Sequence, residues 1–229
     1  MTDVAHPDTD YDDELDDEEF DELEVPEPRT SDRTPWVFAI WLILAGIVGE
    51  IAAAALTIEK IHALQTPGSV ASCDFNAFVQ CTKNLDSWQG SVFGFPNPII
   101  GLICWMAPIV VGVSVLAGAR FPRWYWTVFN IGVLGAVVFV IWLAAQSIFA
   151  SNLRTLCPYC VLTWSVTYPT FLAVTFRNLA AGVFGARGVT VGRALLPWVA
   201  PISIVIMLVI FGIAQTQLPV VQSIIQIFS

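Results

Sequence analysis

The chain has 229 residues, 56% of them hydrophobic and only 13% charged, with a mean hydropathy of +0.70. Soluble domains carry roughly 25% charged residues, so this composition excludes an ordinary water-soluble domain. The formal net charge of −9 belongs almost wholly to one end: 15 of the 19 acidic residues lie in the first 35 positions, whereas from Trp36 onward 8 Lys/Arg face 4 Asp/Glu.

Residues 1–35 are poor in apolar side chains and dense in like charge, so they bury too little surface to offset their ordering entropy. They read as a disordered acidic cytoplasmic tail, without the basic start and small-residue cleavage site of a signal peptide. Five stretches then approach or exceed the length of about 20 apolar residues that a bilayer demands: Trp36–Leu56, Pro98–Ala119, Trp124–Ala150, Cys157–Phe176 and Leu195–Ala214. They are too long for barrel strands, and backbone groups in lipid must be satisfied internally, so each is predicted to be a helix. Glu50 interrupts the first, and Gly101, Pro108, Pro169 and Pro201 punctuate the others. The expected fold is therefore an all-α polytopic membrane protein of five spans over 36–215. A loop at 57–97 and a short tail at 216–229 lie outside the membrane.

Lys and Arg concentrate on the cytoplasmic side of membrane proteins. With the N-terminus inside, the inner segments hold Arg29, Arg33, Arg120, Arg123, Arg177, Arg187 and Arg193, and the outer ones hold Lys60, Lys83 and Arg154. Seven against three supports a cytoplasmic N-terminus and an extracytoplasmic C-terminus in the plasma membrane.

That orientation sorts the five cysteines. Cys73 and Cys81 fall in the outer loop, Cys157 at the outer start of the fourth span and Cys160 one turn deeper, so four cysteines face the oxidising side. Cys104, inside the second span, reads as a packed apolar residue. In Cys157-Pro158-Tyr159-Cys160 the two sulfurs share one helical face and can bond to each other. Pro158 suits a first helical turn, and the N-terminal end of a helix favours the thiolate that carries out disulfide exchange. Cys73 and Cys81, eight residues apart on a loop, can pair, separate and reach different neighbours. Two readings compete with a pair of communicating dithiols: static structural disulfides, and a four-sulfur zinc site.

Beyond these residues, the sequence resembles the vitamin K epoxide reductase family in its bacterial form, over about residues 36 to 180. The resemblance rests on the loop cysteines eight apart, a serine six residues after the second, the segment NPIIG opening the next span, and the CxxC opening the fourth. It implies a four-helix bundle around a quinone pocket, with a fifth transmembrane helix. It also implies a membrane thiol oxidase passing two electrons to menaquinone or ubiquinone, with no metal. In the family's pattern Cys73 exchanges with a partner's dithiol, Cys81 carries the exchange to Cys157, and Cys160 reduces the quinone. Ser87 matches the loop serine near the active site and Asn97 the asparagine that hydrogen-bonds the quinone oxygen. Trp164 stands where the vertebrate enzymes carry a pocket tyrosine, which speaks against epoxide chemistry and leaves quinone reduction in place.

Many bacterial relatives continue into a thioredoxin-like domain, but here only QTQLPVVQSIIQIFS follows the last span, too short for a domain. The implied partner is a separate extracytoplasmic thioredoxin-like (DsbA-like) protein; the other partners are the lipid bilayer and the membrane quinone, with no nucleic acid. Two other functions fit the chain less well. A non-catalytic scaffold with a stapled outer loop would tolerate replacement of Cys157 or Cys160. A conduit for reductant from the cytosol needs an inward-facing dithiol, and the inner loops contain no cysteine.

Overall fold

The structure is a computed structural model that describes residues 35–218 and Ile225. The acidic stretch 1–34 and most of the C-terminal tail lie outside the described residues, so the reading of those segments carries no structural statement. By contacts the chain divides into Met1–Arg33 and Thr34–Ser229, and every helix among the described residues belongs to the second unit.

Seven α-helices follow one another among the described residues: α1 (Pro35–Gln65), α2 (Thr82–Asp86), α3 (Asn97–Leu116), α4 (Arg123–Phe149), α5 (Pro158–Ala180), α6 (Val189–Leu195) and α7 (Val199–Gln217). Among those residues there is no strand, only an isolated parallel bridge between Val79 and Leu156. The chain is an all-α membrane protein, as its apolar runs predict. Helix α1 runs nine residues past the expected end at Leu56, because TIEKIHALQ contains no breaker before Pro67-Gly68. At 1.5 Å per residue its 31 residues span about 46 Å, more than the roughly 30 Å of a hydrocarbon core. Its last turns, with Glu59 and Lys60, therefore project past the bilayer core.

Four segments are long and apolar enough to cross a membrane: Trp36–Gln65, Asn97–Leu116, Arg123–Phe149 and Ala186–Gln217. The last runs from a 3₁₀ turn at Ala186–Gly188 through α6 and a second 3₁₀ turn at Leu196–Trp198 into α7. Helix α5, the fourth of the five expected spans, has the length, 23 residues, and is less apolar than these four. The reason is its position. Helix α5 packs against α1, α4, α6 and α7, so its polar side chains meet protein rather than lipid. Thr163, Thr167 and Thr170 donate back to the carbonyls of Tyr159, Thr163 and Val166 respectively, at 2.6–3.0 Å, and bring no unsatisfied hydroxyl into the bundle.

Helices α1 and α3 approach closely through small residues, as membrane helices do. A β-carbon on Gly49 would overlap the indole ring of Trp105. A Gly49→Ala variant must displace Trp105, and overpacking of this kind costs about 1–3 kcal/mol. Its thermal unfolding midpoint in detergent, followed by tryptophan fluorescence, is expected below the wild type. An unchanged midpoint would show that α1 and α3 separate at little cost.

The buried interior lies in three places. Val140, Ala144, Trp164, Tyr168 and Ala214 join α4, α5 and α7. Leu42, Val111, Trp126 and Val174 join α1, α3, α4 and α5, where the Arg177 guanidinium lies 3.8 Å from the Trp126 ring centre. Leu56, Leu85 and three cysteines form the third cluster.

Candidate redox centre

The loop between α1 and α3 is built to fold back on itself. Asn76 Oδ1 accepts from the N–H groups of Phe78 and Val79, at 3.0 and 2.9 Å. The N–H groups of Phe75 and Asn76 both donate to the Val79 carbonyl, at 2.9 and 3.2 Å. The doubled-back turn brings its two ends together, and Cys73 and Cys81 form a disulfide with Cα atoms 5.7 Å apart. Asp74 Oδ1 accepts from the N–H of Cys81 and of Thr82, tying the turn to the start of α2.

The segment entering α5 is strapped to this turn. Leu156 N donates to the Phe78 carbonyl at 2.8 Å, and Gln80 N to the Leu156 carbonyl at 3.2 Å. Thr155 Oγ1 adds a third bond to the Phe78 carbonyl at 3.1 Å. One residue beyond this strap lies Cys157, whose Sγ is 3.3 Å from Cys81 Sγ. Cys157 caps α5, Pro158 occupies the first helical turn, and Cys160 comes one turn on. Cys157 and Cys160 are free thiols here. Three sulfurs therefore stand in line, Cys73 bonded to Cys81 and Cys81 touching Cys157, with Cys160 one turn further. Cys73, Asp74 and Cys81 also hold their ligand atoms within 4.8 Å of one another, but both sulfurs are spent in the disulfide and the Asp74 oxygen on two N–H groups.

Behind the CxxC lies a cavity of about 640 Å³, walled by α3 on one side and by α4 and α5 on the other. Both CxxC cysteines line it. The walls are mostly apolar, among them Ile100, Trp105, Val133, Phe139 and Trp164, and the polar side chains of Asn84, Gln89, Asn97, Gln146 and Ser147 also line it. This volume and mix suit a cyclic apolar ligand bearing a few hydrogen-bonding atoms.

The residues singled out from sequence fare differently. Trp164 is 2% exposed and lines the cavity. Asn97 lines it too, yet both ends of its amide hold the loop: Nδ2 donates to the Gln89 carbonyl at 2.7 Å and Oδ1 accepts from Val92 N at 3.2 Å. Ser87 is not on the wall. Its Oγ donates to the Asn84 carbonyl at 2.7 Å and accepts from Gly90 N at 3.2 Å, starting the 3₁₀ turn Trp88–Ser91. Cys104, expected to be packed, is exposed and lines the cavity, because α3 packs on α1 and leaves that face free.

Sequence reasoning passed over Asn84, Gln89, Gln146 and Ser147. Gln146 and Ser147 did carry a signal, as two polar residues inside the apolar stretch Trp124–Ala150. Asn84 and Gln89 carried none, being ordinary polar residues in a loop.

Cys73, the cysteine expected to exchange with a partner, is not open to one in this arrangement. It is 4% exposed, and Cys81 is fully buried. The projecting end of α1 holds the loop on both flanks: Glu59 Oε1 accepts from Ser72 N at 3.1 Å and from Ser72 Oγ, and Lys60 Nζ donates to the Leu85 carbonyl and Asp86 Oδ1, at 2.9 and 3.0 Å. Hydrogen bonds to charged groups are worth about 1.5–3 kcal/mol when buried and less when solvated. A Glu59→Ala variant should let dithiothreitol reduce the Cys73–Cys81 disulfide about three- to tenfold faster. Thiol labelling against time measures this, and an unchanged rate would mean that other contacts keep Cys73 covered.

The sequence model of the vitamin K epoxide reductase family matches residues 40–175. The chain belongs to that family. A search of curated proteins returns no match. The matched span takes in most of α1, the loop with Cys73 and Cys81, α3, α4, and most of α5 with the CxxC. As a member of the vitamin K epoxide reductase family the protein is a membrane oxidoreductase, in a family that joins thiols to quinones and works with thioredoxin-like partners.

Proposed function

We propose that the protein is a membrane thiol oxidase: it takes an electron pair from the dithiol of a separate extracytoplasmic thioredoxin-like protein and delivers it to menaquinone or ubiquinone. The observation that carries this reading is the 3.3 Å contact between Cys81 and Cys157, with both CxxC cysteines on the cavity wall. In this reading 36–215 is the five-span membrane domain and 57–97 its extracytoplasmic loop; 1–35 is a cytoplasmic tail and 216–229 an outer one. The distribution of Lys and Arg supports that orientation.

The cavity fits a quinone. Its walls supply aromatic and aliphatic surface, and its polar lining includes a buried amide, Asn84 Nδ2, with no hydrogen-bond partner among the described residues. When bound, a quinone supplies the acceptor for two electrons and two protons. Trp164 and Trp105 would supply aromatic wall surface to it. Asn97 contributes by fixing the loop backbone over the cavity, and Ser87 by fixing Asn84.

The protein's own sulfurs carry the exchange in balanced steps. A thiolate of the partner attacks Cys73 Sγ, the Cys73–Cys81 bond breaks, and Cys81 leaves as a thiolate. The partner's second thiolate resolves the mixed disulfide and frees Cys73. Cys81 attacks Cys157 of a Cys157–Cys160 disulfide, and Cys160 leaves as a thiolate at the cavity wall. Cys73 then closes on Cys81, releasing Cys157. The pair of electrons now rests on Cys157 and Cys160 beside a re-formed Cys73–Cys81 bond, the same pairing as in this structure. Cys157 and Cys160 give up two electrons and two protons and close their own disulfide.

Purified protein mixed with a reduced thioredoxin-like donor and a short-chain quinone should form quinol, followed by the quinone's ultraviolet absorbance. Quinol formation no faster than without protein would overturn the proposal.

A further inference from the structure

Cys73, Asp74 and Cys81 bring two sulfurs and a carboxylate oxygen within 4.8 Å of one another. Cys157 adds a third sulfur from α5, 3.3 Å from Cys81 Sγ. Sulfurs sharing a tetrahedral zinc ion, each about 2.3 Å from it, stand about 3.8 Å apart, so Cys81 and Cys157 are already near that spacing. The Cys73–Cys81 bond occupies two of the three sulfurs in this structure. Its reduction takes up two electrons and two protons and leaves two thiols on residues whose Cα atoms are 5.7 Å apart, near enough for both sulfurs to turn to one ion.

The oxygen ligand is fixed in advance. Asp74 Oδ1 accepts from the N–H groups of Cys81 and Thr82. Both bonds fall on that one oxygen and leave Oδ2 for an ion, and ligating carboxylates are commonly oriented by such bonds. Leu56 and Leu85 pack around the three buried sulfurs, giving the dry surroundings that strengthen coordination. Thiolate-rich sets select soft divalent cations, zinc foremost, and three thiolates with one carboxylate complete a tetrahedron.

We propose that the fully reduced protein binds a divalent cation of the zinc type through Cys73, Cys81, Cys157 and Asp74, and that the ion arrests the redox centre. The ion displaces one proton from each of the three thiols and takes no part in electron transfer. Once coordinated, Cys81 cannot attack α5, and the Cys73–Cys81 disulfide that a partner must attack cannot re-form. Coordination needs only reduced sulfurs, whereas the arrest of turnover rests on the function proposed above. Starting from the pairing in this structure, one further partner dithiol reaches this state: it becomes a disulfide as Cys73 and Cys81 become thiols. The site therefore forms when partner dithiol outpaces the quinone, and the loop opening that admits the partner also admits the ion.

The test uses full-length protein in lipid nanodiscs, reduced with a phosphine that is then removed. Cobalt(II) reports sulfur ligands through thiolate charge-transfer absorption, and zinc affinity is read in competition with a chromophoric chelator. The reduced protein should take up about one ion per chain with a thiolate band, and the fully oxidised protein should show no such band. Asp74→Asn keeps the oxygen that accepts from Cys81 and Thr82 and loses the one that coordinates, so it should weaken zinc about 10- to 100-fold. Cys157→Ser should lower the thiolate band, and Cys160→Ser should leave it unchanged. Absence of the band from the reduced wild type, or wild-type zinc affinity in Asp74→Asn, would overturn the site. A band weakened in Cys160→Ser would overturn the ligand set. With free zinc held by a metal buffer, quinol formation should stop as the site fills and resume when a chelator is added. Turnover unaffected at a filled site would overturn the arrest. Zinc binding by a protein that makes no quinol even without zinc would overturn the proposed function and support the site.

Discussion

Replacing Cys160 with serine is expected to bring quinol formation to background and to leave the protein cross-linked between its loop and α5. Serine cannot form the disulfide through which Cys157 and Cys160 give up electrons, so the final transfer has no route. Cys157 then keeps a free sulfur 3.3 Å from Cys81, close enough for attack with little movement. Attack on Cys81 breaks the Cys73–Cys81 bond, forms Cys81–Cys157 and frees Cys73. Without Cys160 nothing on the α5 side draws Cys157 back. Peptide mapping under non-reducing conditions should recover Cys81 joined to Cys157, with Cys73 open to alkylation. Recovery of only Cys73–Cys81, with Cys157 alkylated, would show that the two sulfurs are neighbours that do not exchange.

The second large effect concerns Cys81→Ala, which should also lose turnover but fail at the other end. Cys73 is left as a lone thiol with no sulfur in the loop to release whatever it binds. The probe is a thioredoxin-like protein whose second active-site cysteine has been replaced and whose first carries a small thiol in disulfide linkage. Attack by Cys73 expels the small thiol, and the mixed disulfide should accumulate through Cys73. A non-reducing gel and mass spectrometry of the linked peptides identify the sulfur. Linkage through Cys157 would reverse the order of exchange. Retention of more than about a tenth of wild-type turnover would remove Cys81 from the path, since a tenfold loss corresponds to only about 1.4 kcal/mol of barrier.

Much of this was readable from the residues because lipid leaves a chain few choices. Apolar runs of spanning length must be helices, and the positions of Cys73, Cys81, Cys157 and Cys160 along them placed all four sulfurs at one end. Their convergence was not readable. It depends on the Asn76 turn and on three hydrogen bonds between 78–80 and 155–156, made by residues ordinary in any loop. The polar fittings of the cavity were hidden for a similar reason. Asn84 and Gln89 matter through what surrounds them, whereas Asn97, which stands out in NPIIG, has both ends of its amide engaged by backbone. The central place of α5, packed against α1, α4, α6 and α7, was not readable either, because hydropathy along a chain does not reveal which helix will be central.

That central place bears on how the protein is made. A segment enters the bilayer by itself when its side chains prefer lipid to water, each apolar residue contributing a few tenths of a kcal/mol. Helix α5, rich in threonine and carrying Tyr168, Arg177 and Asn178, has a weak claim to enter alone, while α4 before it and the Ala186–Gln217 segment after it have strong ones. Its contacts with α4 and α7 favour its place in the bundle. The CxxC at its N-terminal end is therefore held in place by the packing of α5 against α4 and α7. A lesion in α7, on the far side of α5 from the cavity wall it forms, would be felt at the redox centre through loosened packing of α5.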